Sequence, residues 1–62
     1  MNLKKIREAR NITQMELSEK ISVPQSTIAS WETGRAFPRA EKLPDIAKAL
    51  GCTIDEILQD EA

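Results

Sequence analysis

The chain has 62 residues, a net charge of −1 and one cysteine. Those numbers bound it to a single small domain, residues 1–62, that no internal disulfide can staple. It contains no histidine and no tyrosine, and no glycine-rich phosphate loop or Cys/His pair appears, so neither enzyme chemistry nor a metal or cofactor is expected. Apolar runs reach only two or three residues. A membrane span and a signal peptide are therefore not expected, and the chain reads as cytoplasmic. Cys52 reads as a small core residue in a reducing compartment. A domain this short buries only about 60% of the surface its unfolded chain exposes, which favours added stability from a partner or from self-association.

Period-2 alternation is absent; short helical periodicities broken at turn signals run through the whole chain. Leu3, Ile6, Arg7 and Arg10 follow the spacing of one helical face, which predicts a first helix over about 3–10. Asn2 is its expected cap, and Asn11 can adopt the left-handed conformation that ends it. Thr13, Gln14, Met15 and Glu16 form a capping box that opens a second helix carrying Leu17 and Ile21. Pro24, whose missing N–H is harmless at the first helical position, starts a third helix that runs to about Thr33, with Gly34 as its left-handed cap. Pro44 is incompatible with a helix that begins at Ala40, because the amide of residue 44 would then be needed. A turn over 39–42 and a fourth helix from about Leu43 to Gly51 are expected instead. Thr53, Ile54, Asp55 and Glu56 form a second capping box for a short fifth helix. The expected class is all-α, with five helices and no strand.

The second and third helices are joined by so short a turn, at Ser22 and Val23, that they must cross at a large angle, as in a helix-turn-helix over about 14–33. Leu17, Ile21, Val23, Ile28 and Trp31 fall inward, and Ser18 is small where the helices approach. On a helical wheel Trp31 and Pro24 share the core side with Ile28. Ser26, Ala29, Ser30 and Thr33 point away, flanked by Gln25 and Thr27. An ordinary solvated face would carry lysine and glutamate, whereas this one is short and uncharged. Such a face can enter a groove about 12 Å wide, where amides and hydroxyls meet base edges and a methyl meets thymine. Residues 1–42 sum to +3 and residues 43–62 to −4, so one positive face can still be offered to phosphates, with modest non-specific affinity. Gln14, at a helix N-terminus, and Arg35 and Arg39, just beyond the third helix, suit phosphate contact. Lys4, Lys5 and Lys20 read as solvated.

The fragments "IREAR", "TQMELSEKISVPQSTIASWETG" and "LPDIAKALGCTIDEIL", in this order and spacing, resemble the phage-repressor (Cro-type, XRE-like) helix-turn-helix family from Leu3 to Leu58. The resemblance implies a compact five-helix lambda-repressor-like domain whose third helix enters the major groove of double-stranded DNA. It places a DNA-contacting glutamine at Gln14, joining Gln25, Ser26, Thr27, Ser30, Arg35 and Arg39 in the expected DNA-binding set. It also implies an arginine–glutamate pair at Arg7 and Glu32, two charges beside the core that need partners. Two departures stand out. Ser22 replaces the usual turn glycine, and Pro24 replaces the usual serine or threonine cap.

The expected function is that of a sequence-specific transcriptional regulator, a repressor acting as a homodimer on a palindromic operator. No small-molecule ligand is expected, since the domain leaves no room for a sensing module. Ile54, Ile57 and Leu58 either supply a dimer contact or close the core. The rival is a protein-interaction module on the same fold, antitoxin-like or adaptor-like, whose acidic C-terminal half docks on a basic partner.

Overall fold

A computed structural model describes residues 1–59; residues 60–62 of the expected domain lie outside the described residues. Among the described residues five α-helices follow one another: α1 (Leu3–Ala9), α2 (Gln14–Ile21), α3 (Gln25–Thr33), α4 (Leu43–Leu50) and α5 (Ile54–Leu58), with a 3₁₀ turn at Ala40–Lys42 before α4. No strand occurs among the described residues, and none of their helices is long and apolar enough to cross a membrane. Each helix contributes one fully buried aliphatic side chain to a common centre: Leu3, Leu17, Ile28, Ile46 and Ile57. Ile6, Ile21, Trp31, Ala47 and Leu50 complete the core, and Val23, Cys52 and Ile54 pack on its margin. Burial is the main cause holding the Cys52 thiol above its ordinary pKa.

Local chemistry sets most boundaries. In both capping boxes the threonine hydroxyl accepts the glutamate N–H, from Glu16 to Thr13 at 3.0 Å and from Glu56 to Thr53 at 3.1 Å. The carboxylates reciprocate by accepting the N–H of Thr13 at 2.9 Å and of Thr53 at 3.0 Å. Gly34 and Gly51 end α3 and α4 with φ of +81° and +67°, values at which a side chain would be strained. Pro44 lies in the first turn of α4, where its absent N–H breaks no helical bond.

Two boundaries differ from expectation. Asn2 precedes α1 but makes no side-chain cap bond. Its φ of −105° and ψ of 25° are not the extended geometry that aims a cap side chain at the first turn; its backbone N–H instead donates to the Ile57 carbonyl at 2.8 Å. Pro24 stands one residue before α3, extended at φ −62° and ψ 148°, and it is exposed rather than on the core side. It therefore belongs to the turn.

That turn, Ser22 to Pro24, holds α2 against α3. Ser22 is left-handed at φ 58° and ψ 47°, and the Val23 N–H returns to the Ser18 carbonyl at 3.1 Å. Ser18 is buried at the crossing and donates its hydroxyl to the Met15 carbonyl at 2.6 Å. Two long cations close orphan carbonyls at helix ends. Lys42 Nζ donates to the Ile21 carbonyl at 3.3 Å, and Arg10 Nε donates to the Leu50 carbonyl at 2.9 Å. Each places a positive charge at the negative end of a helix dipole.

The left-handed Ser22 is exposed and carries a Cβ cost of roughly 1–2 kcal/mol. Ser22→Gly should therefore raise the melting temperature by several degrees in a thermal unfolding scan; an unchanged or lower value would contradict a strained turn. The capping boxes predict an acid response. Hydrogen bonds from the threonine backbone, then from its hydroxyl, hold Glu16 and Glu56 below their ordinary value of 4.5. The unfolded carboxylates protonate first as pH falls, so their contribution is full above the ordinary value and is lost as pH drops through the folded ones. Melting temperature plotted against pH should fall less steeply in the acid range for Glu16→Gln/Glu56→Gln than for the unsubstituted chain; identical slopes would sink this assignment.

Candidate nucleic-acid interface

The outward side of α3 collects most of the expected contact residues. Ser26, Ala29, Ser30 and Thr33 line one shallow surface depression, and Arg35 closes its end. Arg35 is brought back over the helix because its N–H and that of Ala36 both return to the Ser30 carbonyl, at 2.9 and 3.3 Å. The Thr33 hydroxyl donates to the Ala29 carbonyl at 2.9 Å. Thr27 is half-buried on the flank. No carboxylate side chain lines the depression.

Gln25, exposed in the first turn of α3, meets Gln14, the first residue of α2. Gln25 Nε2 donates to Gln14 Oε1 across 3.4 Å, a long contact. Gln14 Nε2 donates in turn to Glu32 Oε1 at 2.9 Å. The sequence suggests phosphate for Gln14 and a structural pair for Glu32 but not this second bond; the two residues are 18 positions apart, and no local signal joins them.

Glu32 is the hub. Arg7 Nε donates to Glu32 Oε2 at 2.7 Å and Arg7 Nη2 to Oε1 at 3.1 Å, while Nη1 donates to the Ile12 carbonyl at 2.7 Å. The two side chains are 9% and 3% exposed. The bond to Glu32 is the main cause raising the Arg7 pKa, partly opposed by desolvation. A bidentate pair with its remaining groups bonded meets the conditions under which a buried ion pair can be held.

Other expected residues lie apart. The Arg39 side chain is 86% exposed in the loop before the 3₁₀ turn, with Glu41 Oε1 at 3.8 Å, a surface pair of little energetic weight. Ile57 is fully buried, so it closes the core and cannot form a dimer contact. The period of α5 turns it onto the α1 side, where the Asn2 N–H also binds its carbonyl. Ile54 is half-buried against the same core, and only Leu58 of the three is exposed. Phe37 and Met15 are the other exposed large apolar side chains among the described residues.

Two short helices crossing through a three-residue turn, the second with an uncharged outer face, make a helix-turn-helix unit. A helix-turn-helix family model matches residues 3–57, from the start of α1 into α5, and the chain belongs to that family. It is 39% identical over 59 residues to the HTH-type transcriptional activator BcrR of Enterococcus faecalis, covering 95% of this chain and 29% of BcrR. It is 36% identical over 59 residues to the immunity repressor protein of Bacillus phage phi105, covering 95% of this chain and 41% of that protein. It is 35% identical over 51 residues to the cryptic phage CTXphi transcriptional repressor RstR of Vibrio cholerae, covering 82% of this chain and 46% of RstR. The chain spans less than half the length of each of these relatives. One of these relatives is named as a transcriptional activator and two as repressors.

Removing Arg7 would strand a buried Glu32 carboxylate. Arg7→Ala should destabilise the fold by about 3–5 kcal/mol, whereas Lys48→Ala, at an exposed site, should stay within about 0.5 kcal/mol. Chemical denaturation of both variants checks this, and equal midpoints would remove the pair from the account of stability.

Proposed function

We propose that this chain binds double-stranded DNA sequence-specifically by laying α3 in the major groove. The observation that carries the proposal is the uncharged face of Ser26, Ala29, Ser30 and Thr33, continuous with the cation Arg35. Short side chains let the helix backbone approach the base edges. Gln25 reads a base with its amide, Ser26 and Ser30 offer hydroxyls, and Ala29 and the Thr33 methyl offer apolar contact. Gln14, at the start of α2, and Arg35 and Arg39 hold phosphates, fixing register without reading sequence. Thr27 stands at the edge of the contact.

The regulator acts as a homodimer on a roughly palindromic operator, since two copies related by a two-fold axis present two recognition helices about one DNA turn apart. Leu58 and Phe37, exposed and apolar, are the side chains available to such a contact. Repression is the sign that occupancy alone can produce, and the relatives named as repressors support it.

Titrating variants against the selected operator and a scrambled duplex at several salt concentrations tests the division of labour. Gln25→Ala should weaken the operator by about 1–3 kcal/mol and relax discrimination at one position of each half-site. Arg35→Ala should weaken both duplexes alike and reduce the salt slope by about one. Equal loss on both duplexes for Gln25→Ala would remove it as a base reader. If neither variant changes DNA binding, α3 is not the recognition element and a protein-interaction module becomes the better reading.

A further inference from the structure

We infer that Glu32, which is too far inside to touch DNA, is a positioning residue that sets which base Gln25 accepts. The inference rests on the proposed reading that Gln25 contacts a base. A continuous chain of side-chain contacts runs outward from the buried ion pair: Arg7 to Glu32 at 2.7 Å, Gln14 to Glu32 at 2.9 Å and Gln25 to Gln14 at 3.4 Å.

The polarity of this chain follows from chemistry. A carboxylate paired with a guanidinium only accepts hydrogen bonds, and both Glu32 oxygens accept from Arg7. The end of the Gln14 amide that faces Glu32 must therefore be its NH₂. The opposite end is a carbonyl, and the group of Gln25 that faces it must again be the NH₂. What remains on Gln25 for the groove is one N–H and one carbonyl oxygen in a fixed order.

That pair complements adenine, which offers the N7 acceptor and the N6 donor. It opposes guanine, whose N7 and O6 are both acceptors, because the Gln25 carbonyl would face O6. A Gln25 amide free to turn could aim its NH₂ at both guanine acceptors instead. Without Glu32, Gln14 loses its orienting acceptor, and the constraint on Gln25 goes with it. Discrimination between the two purines is thus held by a carboxylate buried behind the contact surface.

The test uses the duplex that this chain selects from a random library. Each A·T pair of a half-site is replaced in turn by G·C, and the adenine-to-guanine affinity ratio is measured for the unsubstituted chain, Gln25→Ala, Glu32→Gln and Gln14→Met. All are measured in a buffer and at a temperature where circular dichroism shows them folded. The position at which Gln25→Ala loses the ratio marks the base that Gln25 reads. At that position Glu32→Gln and Gln14→Met should each lower the ratio by at least about fivefold, the lower end of what a bidentate base contact discriminates. A merely structural role for Glu32 would change overall affinity but not this ratio. Gln14→Met leaves the Arg7–Glu32 pair intact and decides the matter if Glu32→Gln does not fold. A ratio that Gln25→Ala lowers but the other folded variants leave unchanged overturns the inference alone. A ratio that Gln25→Ala leaves unchanged at every position overturns the base-reading proposal, and the inference with it.

Discussion

Arg7 and Glu32 lie 25 residues apart, and their bidentate contact ties α1 to α3. The third guanidinium bond, to the Ile12 carbonyl, brings in the connection leading to α2, and Gln14 adds the first turn of α2 itself. Each partner satisfies groups that the other would otherwise leave stranded in the core margin, so the pair is costly to break, although replacing a whole buried pair with packed apolar residues is often neutral for stability. Its value lies in uniqueness. Aliphatic contacts such as those among Leu3, Leu17 and Ile28 tolerate small slides, whereas a fork of short hydrogen bonds fixes the rotation of α3 about its axis. That rotation decides which side chains face outward.

The outward face of α3 is then a consequence of the core. Ile28 and Trp31 bury one side of α3, and the helical period turns Ser26, Ala29, Ser30 and Thr33 the other way. The left-handed Ser22 and the extended Pro24 set the crossing of α2 and α3, while Lys42 ties the end of α2 to the segment before α4 through the Ile21 carbonyl. Gly34 reverses the chain so that Arg35 returns beside the same face. Few residues do more than one task here, Gln14 being the exception: it faces both the buried carboxylate and Gln25.

What was legible in the sequence was local. Thr13 with Glu16 and Thr53 with Glu56 announce helix starts within four residues, Gly34 and Gly51 announce ends, and Pro44 excludes a helix that begins at Ala40. The uncharged face of α3 was legible because a helical wheel needs only one segment. What escaped depends on partners distant in the chain. Asn2 has the right side chain for a cap, but the Ile57 carbonyl claims its backbone N–H. Arg10 continues the periodicity of α1, yet its guanidinium serves the end of α4, 40 residues on. Ile57 illustrates the limit of periodicity, which identifies an apolar side of α5 without telling whether it meets the core or a partner; its complete burial decides for the core. The bond from Gln14 to Glu32 belongs to the same class, since it exists only once α1, α2 and α3 are assembled.

In the proposed function α3, oriented by the buried pair, is the surface that meets DNA. Amide chemical-shift mapping of the ¹⁵N-labelled chain during titration with its selected duplex tests this most directly. The largest changes should fall on Gln14 and on residues 25–35, with smaller ones at Phe37 and Leu58, where two copies would meet. Changes centred instead on Phe37 and Leu58, with residues 25–33 unperturbed at saturation, would contradict it.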